Sequence, residues 1–171
     1  MNNLPEMLLG DICRLGAGNA FPKDKQGNTS GEIPFIKVSD FELAGNEVSI
    51  YRANNYVSDF TAQELRLKRY RKGSTVFAKI GIALTYNRRR KLCSDTAIDN
   101  NLMVAEANPS VVSDDYLYYL LRTIDFNLIA NGSAIPYLNA GDIKKISVYI
   151  SLTQTINTSI ILGNIIKIQF V

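Results

Sequence analysis

Ten cationic side chains between residues 66 and 91 stand without a single Asp or Glu among them: Arg66, Lys68, Arg69, Arg71, Lys72, Lys79, Arg88, Arg89, Arg90 and Lys91. They are ten of the nineteen bases in a 171-residue chain, so nine bases face sixteen acids elsewhere and the net charge of +3 hides a strong polarity. Like charges gathered in a compact fold repel one another, and call for a polyanionic partner or full hydration. Nucleic acid is the first polyanion to consider, and on DNA Lys and Arg would serve phosphates and Arg, Asn or Gln base edges. Arg66, Lys68, Arg69, Arg71 and Lys72 have the character of phosphate-tracking residues. Asn87, Arg88, Arg89, Arg90 and Lys91, with a second loop carrying Lys23, Lys25 and Gln26, have the types and the expected exposure for groove insertion. Lys79 reads instead as a strand residue serving packing or a local ion pair.

Other chemistry is poorly provided for. The chain has no histidine, which removes the commonest general base, the Ser-His-Asp and Cys-His arrangements and the usual zinc ligand sets. Cys13 and Cys93 stand alone, without CxxC spacing, and read as reduced thiols. No glycine-rich phosphate cradle with GK[ST] occurs, and Gly16-Ala17-Gly18 lacks the third glycine of a dinucleotide fingerprint. Asp95, Asp99 and Glu106 are the acids nearest the basic stretch, and their spacing suggests no metal site. No cofactor is expected, and the chain reads as non-catalytic.

The elements that must position these side chains form a mixture. Residues 19–31 read as an exposed loop. Ile33–Val38, Thr75–Ile80, residues 101–105 and Ile146–Ile150 read as strands. Residues 61–69 fit a helix with Thr61 as N-cap and Glu64 completing a capping box. A strand over Ile82–Tyr86 would carry the basic quartet at a hairpin tip. Ser113 opens the clearest helix, with Leu117, Leu120, Leu121, Ile124 and Leu128 at three- and four-residue intervals. Its tyrosines, Tyr116, Tyr118 and Tyr119, read as packing residues. Residues 138–144 suggest a short further helix. The expected class is therefore α+β, a mixed sheet with packed helices. From Ser151 a rough heptad through Ile156 and Ile160, with Ile166 near its end, suggests the start of a coiled-coil helix, which either folds back or pairs with a second chain. No apolar run reaches membrane-spanning length, so the expectation is a cytoplasmic protein with no membrane partner.

Several segments, in order, resemble the specificity subunits of type I restriction-modification systems in their target recognition domains. They are Leu9-Gly10-Asp11-Ile12, Ile33-Pro34-Phe35-Ile36-Lys37-Val38-Ser39-Asp40, Gly73-Ser74-Thr75-Val76-Phe77-Ala78-Lys79-Ile80-Gly81 and Asp99-Asn100-Asn101. The series ends with residues 131–139 (Asn-Gly-Ser-Ala-Ile-Pro-Tyr-Leu-Asn) and Asp142-Ile143-Lys144-Lys145-Ile146. Gln154 and Ile156 stand where such proteins begin a long helix, though the family's proline turn and Glu-Gln pair are altered to Ser151-Leu152-Thr153-Gln154.

The resemblance implies a recognition domain over 1–150 and the start of a dimerisation or spacer helix over 151–171. It further implies a reader of one half of a split DNA site. The partners would be double-stranded DNA, a methyltransferase subunit and, through the complex, a motor and nuclease subunit. A homodimer through Gln154, Ile156, Ile160 and Ile166 would supply a second half. The chain looks like a half-subunit or truncated form. The alternative left by the basic stretch alone is a module for RNA or anionic surfaces.

Overall fold

A computed structural model describes residues 5–150 and 168–169. The chain opens with β1 (Glu6–Leu8), the single turn α1 (Leu9–Ile12) and β2 (Cys13–Ala17), and continues through β3 (Ile33–Ile36), β4 (Ser49–Ile50) and β5 (Tyr56–Val57). Then come α2 (Asp59–Glu64), β6 (Arg69–Tyr70), β7 (Thr75–Ala78), α3 (Ile82–Thr85), β8 (Arg90–Leu92), β9 (Thr96–Ile98) and β10 (Leu102–Ala107). The remainder is α4 (Asp114–Thr123), α5 (Ala140–Lys144), β11 (Ser147–Tyr149) and β12 (Ile168–Gln169).

Three sheets result, in the orders β2-β10-β7-β8-β4, β5-β3-β9-β6 and β1-β11-β12. Pairing is parallel for β3 with β9 and for β4 with β8, and antiparallel elsewhere. This is the expected α+β class. The middle strands are covered on both faces: every residue of β7 and β10 is buried, which is why neither shows a clean apolar-polar alternation in sequence. One core gathers Leu9, Ile12, Phe77, Met103, Phe126, Ile143 and Val148 around the inner face of α4. Helix α4 begins where the sequence places it, because the Ser113 hydroxyl accepts the Tyr116 N–H at 3.1 Å. It buries Leu117, Tyr118, Leu120 and Leu121, while Tyr119 stays exposed.

Several expectations are corrected. The helix assigned to 61–69 spans only Asp59–Glu64, and Ser58, not Thr61, caps it by accepting the Thr61 N–H at 3.1 Å. It cannot continue because Arg66 lies in the left-handed region at φ 49°, after which Arg69 and Tyr70 join a sheet. The strand expected over Ile82–Tyr86 is the short helix α3, since Gly81 at φ 72° turns the chain out of the β7 direction. Gly16 and Gly18 lie in and just after β2: a Cβ on Gly16 would strike the Tyr70 ring, and one on Gly18 the Asp99 and Ile98 carbonyls. Of the expected C-terminal helix, residues 151–167 lie outside the described residues, including Gln154, Ile156, Ile160 and Ile166. Ile168 and Gln169 are extended, paired with β11.

Candidate nucleic-acid interface

Strand directions bring six chain segments to one end of the two larger sheets. β2, β3, β7 and β9 run toward this rim and β6 and β10 start from it, as the registers require. Short hydrogen bonds tie the strand ends together there. The Asn19 N–H donates to the Ile98 carbonyl at 2.9 Å, and the Asp99 N–H to the Ile36 carbonyl at 2.8 Å. The Asn19 side chain then accepts the Lys68 N–H at 2.9 Å and donates to the Arg66 carbonyl at 3.4 Å, which fixes the exposed 66–68 segment. Lys79 follows β7 and donates its N–H to the Asn101 carbonyl at 2.9 Å. Lys37 follows β3, and its ammonium donates to Gln26 Oε1 at 2.9 Å.

Lys37, Arg66, Lys68 and Lys79 thus hang from neighbouring backbone positions on the rim. None of the four forms an ion pair with a carboxylate among the described residues. Lys23 is exposed on the adjoining loop, and Lys25 on that loop reaches Glu64 of α2 at 3.6 Å. Between the cations lies the turn Asp99-Asn100-Asn101, whose two asparagines are exposed.

The rest of the basic stretch goes elsewhere. Arg69 pairs with Asp59, Arg88 with Glu42 and Lys91 with Asp115. Arg71 grips both oxygens of Asp114 and donates to the Ala107 carbonyl at 3.2 Å, at the end of the sheet away from the rim. Lys72 is exposed near the same end, where its N–H meets Asp95. There, too, Arg14 pairs with Glu106, and a cavity of about 420 Å³ opens between Gly10, Cys13, Arg14 and Arg71. The sequence places no acid inside residues 66–91, but the fold brings acids to them from distant segments.

The expected placement of the basic quartet is corrected. With α3 in place of a strand there is no hairpin tip, and the chain re-enters the sheet at Arg90. Arg89 is 3 % exposed, its guanidinium 3.8 Å from the Phe126 ring centroid and 5.3 Å from that of Phe77. It donates to the Ile124 carbonyl at 3.1 Å and to Asn87 Oδ1 at 3.0 Å. Burial pushes it down to about 9, so the buried group stays cationic at neutral pH. Arg90 is half-buried over Phe41, its pKa lowered by burial and by Arg88. Asn87 is fully engaged: Oδ1 also accepts the Phe126 N–H at 3.0 Å, and Nδ2 donates to the Ile124 carbonyl at 3.2 Å. Gln26 is engaged at both ends, its Nε2 donating to the Phe21 carbonyl at 3.0 Å. Neither amide is free for a base edge.

Asn19, Lys37, Asn100 and Asn101 were not among the residues expected at the interface, and Lys79 was expected to serve packing or a local ion pair. The Asp99-Asn100-Asn101 triplet between two apolar strands was a readable signal, since Asx residues favour tight turns by bonding their own backbone.

A family model described as the type I restriction modification DNA specificity domain matches residues 2–161. No curated protein is similar enough to count as a match. Among solved structures, one titled for complex assembly and conformational transition of the type I R-M system superposes with a TM-score of 0.66 at 12% identity, covering 91% of this chain and 36% of that one. The HsdS subunit from Thermoanaerobacter tengcongensis gives 0.59 at 13% identity, over 85% of this chain and 32% of that one. The type I S subunit from M. genitalium gives 0.56 at 13% identity, over 86% and 34%. At such identities the likeness is one of fold, and this chain spans about a third of the length of each of these structures.

Proposed function

Because the chain belongs to the family of type I restriction modification DNA specificity domains, we propose that it is a non-catalytic reader of one half of a bipartite DNA site. In this reading residues 1–150 are the target recognition domain, and 151–171 begin the segment that joins it to a second reader, another copy of the chain included. It directs a separate methyltransferase subunit and, through the complex, a motor and nuclease subunit. The rim is its DNA-facing side. The observation that carries this placement is the arc of Lys37, Arg66, Lys68 and Lys79, four cations in no ion pair with a described carboxylate, around two exposed amides. Cations held by backbone anchors and left unpaired are available to displace counterions from phosphates, which is the dominant source of affinity for duplex DNA. Arg69, Arg71, Arg88 and Lys91 are bound to carboxylates and would have to leave them first.

The test is a titration of labelled duplex with the full chain between about 50 and 200 mM salt, where each phosphate contact contributes roughly −0.9 to the log–log slope. Lys68→Glu and Lys79→Glu should weaken binding to every duplex and flatten that slope by about one unit each. Arg71→Ala, at the far end, should leave slope and affinity unchanged. A salt-independent affinity, or an Arg71→Ala effect equal to that of Lys68→Glu, overturns the placement. Methyl transfer or cleavage by the chain alone, with magnesium and S-adenosylmethionine supplied, overturns the reader assignment.

A further inference from the structure

We infer that Asn100 and Asn101 are the specificity-determining side chains of the rim and that they read adenine; the inference rests on the DNA-reading function proposed above. Reading a base requires a side-chain donor and acceptor that are unengaged in the free protein, held on a rigid support, and flanked by groups that grip the phosphates on either side. Among the amides at the rim, Asn19 is committed to Arg66 and Lys68, and Gln26 to Phe21 and Lys37. Asn100 and Asn101 are exposed, and their side chains form no hydrogen bond among the described residues.

Their support is unusually well fixed for a surface turn. Asp99 is 7% exposed; its carboxylate accepts the Asn101 N–H at 2.8 Å, and its carbonyl accepts the Leu102 N–H at 3.0 Å. The turn is thus locked to the start of β10, to the end of β3 through the Asp99 N–H, and to β7 through Lys79. Those same anchors carry the cations: Lys37 follows Ile36, Lys68 is held by Asn19, and Lys79 is itself bonded to Asn101. Phosphates gripped from three sides leave the short amides between them at the level of the base edges. An asparagine amide matches the N6 donor and N7 acceptor of adenine, and no other base presents that pair in the major groove.

Selection of bound duplexes from a randomised pool, first with the native chain and then with Asn100→Ala and Asn101→Ala, tests this directly. The native chain should enrich a half-site containing adenine, and at least one variant should lose the preference at one adenine position. Replacing that adenine by 7-deazaadenine, which lacks the N7 acceptor, should weaken binding to the native chain by about 5- to 150-fold, and leave the variant unaffected. The native-chain measurement needs no mutation and is independent of any effect on folding. Enrichment that both variants retain unchanged overturns the inference while the reader function stands. So does a uniform loss across all duplexes with a flatter salt slope, which marks a phosphate contact. If the native chain enriches nothing, the reader function fails and this inference with it.

Discussion

Arg89 keeps a guanidinium where hydrocarbon is the usual occupant, between Phe77 and Phe126, with no carboxylate in ion-pair contact among the described residues. Its planar cation stacks on the Phe126 ring and ties the Ile124 carbonyl to the end of α3 through Asn87. Arg89→Ala should cost about 2–4 kcal/mol, because it opens a cavity and removes one of the two donors at each of two acceptors, whereas Arg89→Met should cost less, since it fills the volume without a buried charge. Urea unfolding of both variants checks the order. Cys13 offers a pH test. Its buried thiol donates to the Leu9 carbonyl at 3.2 Å, and burial, partly offset by Lys144, pushes it up to about 12 from an ordinary 9.0. A raised thiol favours the folded state fully below pH 9 and loses that contribution as pH rises toward 12. Cys13→Ala should therefore lose less stability than the native chain between pH 9 and 11, as read from urea midpoints across that range.

At the scale of elements, the sequence was legible where one physical term dominated. Helix α4 announces itself by a cap, two first-turn acids and an apolar stripe, and Ser113→Ala should cost about 1 kcal/mol in thermal or urea unfolding. The strands β3, β7, β10 and β11 were visible as short apolar runs, rich in β-branched and aromatic residues in all but β10. The misreadings fall where tertiary contacts outweigh local preference. Residues 82–86 carry a strand-like apolar run, yet Gly81 diverts them and packing of Leu84 into the main core makes a helix turn the better burial. Residues 65–69 continue a helical pattern, but Asn19, 47 residues away from Arg66 in sequence, holds that segment open as a turn.

For the molecule as a whole, the charge run divides: Arg66, Lys68, Arg69, Arg71 and Lys72 are exposed as expected, whereas Arg89 is buried and Arg88, Arg90 and Lys91 are partly so. Ion pairing is set by distances in space, so the acids missing between residues 66 and 91 arrive as Glu42, Asp59, Asp114 and Asp115 from three other segments. The α+β class and the family were both readable from order and spacing of segments; the rim was not, because it is made by strand directions and by Asn19 and Asp99, whose partners lie far along the chain.

One consequence follows from the smallest sheet. Incoming β1 and outgoing β11 lie side by side, next to α1 and therefore on the Cys13 side of β2, turned away from the rim. With its first strand and β11 held together on the side opposite the rim, such a fold can be spliced into a longer polypeptide without its connections crossing the rim.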